Sequence, residues 1–110
     1  MERDILSLEH LQETLQSNPA VIAYFSTPDC NVCTVLKPKV IELINNDFPQ
    51  IQFRYVDCQQ YPDTAAQFSV FTIPTVLVYF EGRETFRLSR NFGIAELSEK
   101  LRRPYQLLFA

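Results

Sequence analysis

The sequence predicts an α/β protein with a central mixed β-sheet flanked by helices, in the order (β)αβαβαββα, on three observations. Strand-like apolar runs alternate with segments of helical periodicity over the first two-thirds of the chain, as parallel strands joined by helices require. Two later runs, Thr75 to Phe80 and Glu84 to Leu88, are separated by Glu81-Gly82-Arg83, the mark of a tight antiparallel hairpin. The 110 residues contain no repeat, no low-complexity run and only two glycines, so no linker divides them. The expectation is one domain over residues 1–110, with 104–110 as an apolar C-terminal tail.

A short strand at Asp4 to Leu6 precedes a first helix. Its stripe is Leu8, Leu11 and Leu15, its N-cap is Ser7, and it stops at Ser17-Asn18-Pro19. Val21 to Phe25 is a continuous β-rich run, hence a buried strand, and it turns at Ser26-Thr27-Pro28. Val32, Val35, Leu36, Val40, Leu43 and Ile44 mark a long helix from Asn31 to Asn46, which Pro38 kinks or breaks in two. Ile51 to Val56 is the next strand, ending at Asp57-Cys58, and Pro62 to Phe68 a short helix with proline in its first turn. After the hairpin, Ile94, Leu97 and Leu101 form one face of a last helix. It is expected to stop near Pro104, with Arg102 and Arg103 in its last turn. The tail from Tyr105 to Phe109 is more apolar than a free terminus and is expected either to fold back on the domain, the favoured reading, or to meet a partner.

A formal charge of -3 argues against nucleic acid and anionic membrane surfaces as partners. The longest apolar run is too short to span a bilayer, and the first ten residues are polar and acidic, unlike a leader. Three cysteines do not make the disulfide framework of a small secreted domain, so a reducing, cytoplasmic setting is expected.

Cys30-Asn31-Val32-Cys33 carries the chemistry. Its spacing brings both sulfurs to one side of a first helical turn, where they can close into a disulfide. Cys30 also faces the unpaired N–H groups and positive dipole end of that helix, which favour thiolate over thiol. An ordinary thiol with a pKa of roughly 8.5 is only about 3% ionised at pH 7, so a fall of about one unit multiplies the reactive fraction. Cys30 is thus the candidate nucleophile. Cys33, one turn deeper, is the candidate resolving thiol. Two blander readings stand beside this one. Zinc would need four ligands and would have to recruit Cys58 and His10 from separate elements. Alternatively, the pair are core thiols, as Cys58 itself is read to be. No cofactor and no metal are called for.

Over essentially the whole chain, to Leu101, the sequence resembles the thioredoxin family. Cys30-Asn31-Val32-Cys33 looks like that family's active-site loop, Pro38 like its helix-kinking proline, and Ile73-Pro74-Thr75 like its cis-proline loop, while Pro62 and Gly82 fall at family positions. The resemblance implies a thioredoxin-like fold and protein disulfide reduction, with a thioredoxin reductase to recycle the protein and a monomeric state. It further implies that Ile73–Pro74 is cis, against a base rate of about 5–6% for X–Pro bonds, and that Thr72, Ile73 and Pro74 bind an extended substrate segment. Without it, Pro74 reads as a proline at a strand end.

Several residues depart from the family pattern. Tyr24 stands where a buried aspartate is usual and Tyr55 where a lysine is, so both charges are lost together, and a phenol with a pKa near 10 is a poor proton acceptor. Asp29 replaces the tryptophan before the first cysteine and opposes ionisation of Cys30. Arg90 stands where a glycine borders the substrate groove, and its cation favours acidic partners. These departures keep a rival reading open: a protein-binding or assembly module with vestigial cysteines.

Overall fold

A computed structural model describes residues 3–109. The helices are α1 (Leu8–Ser17), α2 (Asn31–Asp47), α3 (Pro62–Gln67) and α4 (Ile94–Phe109), and the strands are β1 (Ala20–Ser26), β2 (Gln52–Asp57), β3 (Thr75–Phe80) and β4 (Arg83–Ser89). The strands lie in the order β2-β1-β3-β4. β1 and β2 are parallel, whereas β3 runs antiparallel to both β1 and β4. The sheet is therefore mixed, as the alternating runs and the hairpin require.

β1 explains why its sequence is apolar without alternation. Ala20, Ile22 and Tyr24 point into one core with Val40, Leu43 and Ile44 of α2 and Leu97 and Leu101 of α4. Val21, Ala23 and Phe25 point into the other, with Leu11 and Leu15 of α1 and Ala65 of α3. Every residue of β1 is buried. A strand covered on both faces needs apolar side chains at both phases of the pleat.

Local signals set the helix starts. The Ser7 hydroxyl accepts the His10 amide at 3.0 Å, and Pro62 occupies the first turn of α3. Pro38 lies inside a single continuous α2. Two expectations need correction. The strand at Asp4 to Leu6 reduces to one parallel bridge, Asp4 to Tyr55, flanked by backbone bonds from Ile5 to Tyr55 and from Tyr55 to Arg3. Ser7 already caps α1, and the Leu6 amide is spent on His10 Nδ1 at 3.0 Å, which leaves no length for a strand.

The second correction concerns the last helix, which runs through Pro104 to Phe109 and leaves Arg102 and Arg103 in its middle. Its apolar stripe, Leu97 and Leu101, extends to Tyr105 and Phe109 at the same four-residue interval. Tyr105 stacks edge-on against Phe48 with centroids 5.1 Å apart, meets Phe109 at 4.8 Å, and accepts the Gln50 amide on its hydroxyl at 3.2 Å. This packing offsets the roughly 3 kcal/mol that an internal proline costs a helix. Residues 104–109 thus continue the helix, packed on the domain, rather than forming a tail. Ala110, and Met1 and Glu2 at the other terminus, lie outside the described residues.

Candidate functional site

β1 is an inner strand, and its carboxyl end delivers Thr27 to Cys30 to the start of α2, the usual place for chemistry in an open α/β sheet. Cys30 is the N-cap of α2, with φ -87° and ψ 109°. Its amide donates to the Thr27 carbonyl at 3.3 Å, and its carbonyl accepts the Thr34 amide at 3.0 Å and the Thr34 hydroxyl at 2.9 Å. Cys30 Sγ takes the place that a serine or aspartate oxygen fills in an ordinary cap, accepting the Cys33 amide at 3.2 Å. That bond and the helix dipole both strengthen when the sulfur carries charge.

Cys33 lies one turn on and is 1% exposed, whereas Cys30 is partly exposed. Their sulfurs are joined as a disulfide across a Cα–Cα distance of 5.3 Å. The asymmetry suits two roles, an accessible sulfur that can be attacked and a sheltered one that closes on it. Asp29 beside them is exposed, and its carboxylate accepts the Thr27 hydroxyl at 2.8 Å, which ties it to the turn.

Beneath the pair, Tyr24 is fully buried, and its hydroxyl donates to the Cys33 carbonyl at 2.8 Å. Burial, and secondarily the neighbouring Tyr55, push its pKa far above the ordinary phenol range. It holds the first turn of α2 as a donor and is no base. Tyr55, opposite Tyr24 in the register of β1 and β2, is half-buried and also raised by burial; its oxygen accepts the Ser26 hydroxyl at 3.4 Å. Over its ring, 3.9 Å from the centroid, stands the ammonium of Lys37. Sequence reasoning found both charges missing and overlooked this cation. Lys37 is four residues after Cys33, hence on the same helical face, which is the signal that finds it.

The loop before β3 lies at the same end of the sheet. The Ile73–Pro74 bond is cis and Pro74 is buried, while Ile73 is partly exposed and Thr72 exposed. The Thr75 hydroxyl donates to the Thr72 carbonyl at 2.7 Å and lies 3.1 Å from the Ser89 hydroxyl, which fixes the loop to β4. The Arg90 amide donates to the Pro74 carbonyl at 2.7 Å. Arg90 itself has φ 62°, a left-handed conformation that glycine adopts without strain and that explains the glycine expected there. Between α2 and this corner runs an open groove of about 420 Å³ floored by Val32, Val35, Leu36 and Phe92.

Cys58, the remaining thiol, ends the neighbouring strand and packs against the opposite core; burial first, then Asp57, push it up to about 11. His10, on α1, accepts the Leu6 amide on its Nδ1 at 3.0 Å. Among the described residues no group of three or more His, Cys, Asp or Glu is placed to hold a metal ion, and no helix is long and apolar enough to cross a membrane.

An accessible sulfur at a helix N-cap, a buried partner one turn on and a mixed sheet beneath them define the class: a thiol–disulfide oxidoreductase. The thioredoxin family model matches residues 4–103. The chain is 30% identical over 101 residues to the thioredoxin-like protein YdfQ of Bacillus subtilis, which spans 92% of this chain and 89% of that one. Among solved structures, thioredoxin 1 of Thermosipho africanus superposes with a TM-score of 0.74 at 31% identity, covering 82% of this chain and 99% of that one. The thioredoxin of Fasciola hepatica does so with a TM-score of 0.77 at 25% identity, covering 96% and 97%. The chain belongs to the thioredoxin family.

Proposed function

We propose that this protein reduces disulfides in other proteins, with Cys30 as nucleophile and Cys33 as resolving thiol. The observation that carries the reading is the N-cap geometry: Cys30 Sγ receives the Cys33 amide at 3.2 Å while Cys33 is only 1% exposed. In the reduced protein the Cys30 thiolate attacks one sulfur of the substrate disulfide, whose other sulfur leaves as a thiolate and takes up a proton. Cys33 then loses its proton and attacks Cys30 Sγ, expelling the second substrate thiolate and closing the Cys30–Cys33 disulfide. Two electrons pass to the substrate, and two protons follow them.

Thr72, Ile73 and Pro74 hold the substrate as an added extended segment, the backbone of the loop giving affinity. A thioredoxin reductase returns the disulfide to the dithiol. The protein works as a monomer of one domain in the cytoplasm, where such a reductant is present. Tyr24 cannot accept the Cys33 proton, so solvent or the departing substrate thiolate takes it, and the resolving step is slower than with a buried carboxylate.

Trapping tests the reading. The Cys33→Ser variant should accumulate mixed disulfides with protein substrates through Cys30, and these should vanish in the Cys30→Ser/Cys33→Ser double variant. Failure to trap any protein while Cys30 still reacts with iodoacetamide would leave the binding-module reading in its place.

A further inference from the structure

The groove beside the active cysteines differs in sign from the protein around it. Its floor is apolar, with Val32 and Val35 respectively 64% and 60% exposed, and its rim carries Lys39 from α2 and Arg90 from the end of β4. No carboxylate lines it, in a chain whose net charge is -3. Neither cation has an ion-pair partner among the described residues, whereas Arg87 and Arg102 are bound to Glu84 and Glu99 at 2.7 and 2.8 Å. Both rim cations are exposed and available to a ligand.

Arg90 is held in place. Its amide is anchored on the Pro74 carbonyl and its carbonyl accepts the Phe92 amide at 3.0 Å, so its side chain leaves from a fixed point beside the loop assigned to the substrate. It occupies a left-handed backbone conformation that costs a branched-Cα residue on the order of 1–2 kcal/mol and glycine almost nothing. A costly arginine at the mouth of an apolar groove calls for a use of its guanidinium, whose fork binds a carboxylate through two parallel hydrogen bonds.

We propose that this groove selects disulfide-bearing polypeptides in which acidic residues flank the reactive cysteine, with an apolar residue between the rim charges. This deepens the reductase reading and rests on it. Val32, Val35, Leu36 and Phe92 take the apolar side chain, and Arg90 and Lys39 pair with the carboxylates. Exposed pairs of this kind are individually weak and screened by salt, so the selection is graded.

The test uses three disulfide-linked peptides, identical except that two residues flanking the cysteine are both Glu, both Gln or both Lys. The second-order rate constant for their single-turnover reduction by the pre-reduced protein is measured at 50 and 500 mM NaCl. The expected order is Glu over Gln over Lys, with the Glu and Lys peptides differing about tenfold at low salt and much less at high salt. In Arg90→Gly, which relieves the backbone, and in Lys39→Gln, the Glu-to-Lys ratio should fall toward one. Equal rates for the three peptides in the wild-type protein, or a ratio unchanged in both variants, would overturn the inference and leave the reductase reading standing. Reduction of none of the peptides, with Cys30 still alkylated, would overturn both.

Discussion

Cys30 and Cys58 follow neighbouring parallel strands at the same end of the sheet, and the Cys58 amide is bonded to the Ser26 carbonyl at 2.8 Å, four residues before Cys30. Their environments are opposite. Cys30 opens a seventeen-residue helix and receives one of its free amides on the sulfur. Cys58 enters a turn, where Asp57 accepts the Gln59 and Gln60 amides at 2.9 and 3.2 Å and adds its charge to the burial that keeps the thiol protonated. Each follows an aspartate, but the Cys30 sulfur receives a helix amide, whereas the Cys58 sulfur is buried and faces the Val56 carbonyl at 4.0 Å. What the strand ends share is position, and what separates them is the element that follows.

Cys30→Ser should reduce disulfide reduction to the uncatalysed background, whereas Cys58→Ser should stay within about twofold of wild type, both read as single-turnover rate constants. Loss of activity in Cys58→Ser would mean that the second thiol takes part in exchange.

A thiol at about 11 carries roughly two-hundredfold less thiolate at pH 8 than one at the ordinary value near 8.5. Cys58 should therefore alkylate slowly near neutrality and accelerate until about pH 11, while Cys30 in the reduced protein should alkylate faster than Cys58 at neutrality, as mass spectrometry of each site can follow. The linkage has a definite sign. Because folding raises the Cys58 pKa, its contribution to stability is intact below about pH 9 and lost as pH rises toward 11.

Much of this was legible in the residues, and the exceptions have causes. Continuous apolar runs gave β1 and β3 because strands covered on both faces show no alternation. The Cys-x-x-Cys named its own helix start. Pro104 reads as a stop because its local cost is visible in the sequence, whereas the Tyr105 and Phe109 contacts that outweigh it are not. Lys37 escaped because a cation over a ring on a neighbouring strand leaves only an interval of four residues as its trace. The Arg90 backbone conformation is a property of three dimensions and surfaced only as a mismatch with a glycine position.

Tyr24→Phe removes the hydroxyl bond to the Cys33 carbonyl without opening a cavity. The cost should be about 1 kcal/mol in a denaturant titration, the usual net worth of one hydrogen bond. A larger loss with slower Cys33 closure would mark the phenol as holding the resolving thiol as well as the fold. Lys37→Gln should have the smallest effect, about 0.5 kcal/mol, and should leave Cys58 alkylation unchanged. An accelerated Cys58 would show that the Lys37 and Tyr55 pair couples the two thiol sites.

The central claim is that Cys30 and Cys33 form a reversible couple poised to reduce other disulfides. Titrating the protein against dithiothreitol and glutathione buffers, with the dithiol followed by alkylation and mass spectrometry, measures it directly. The account predicts a single two-electron transition at a strongly reducing potential, roughly -250 mV or below. A potential near or above about -180 mV, or no reversible disulfide, would contradict it.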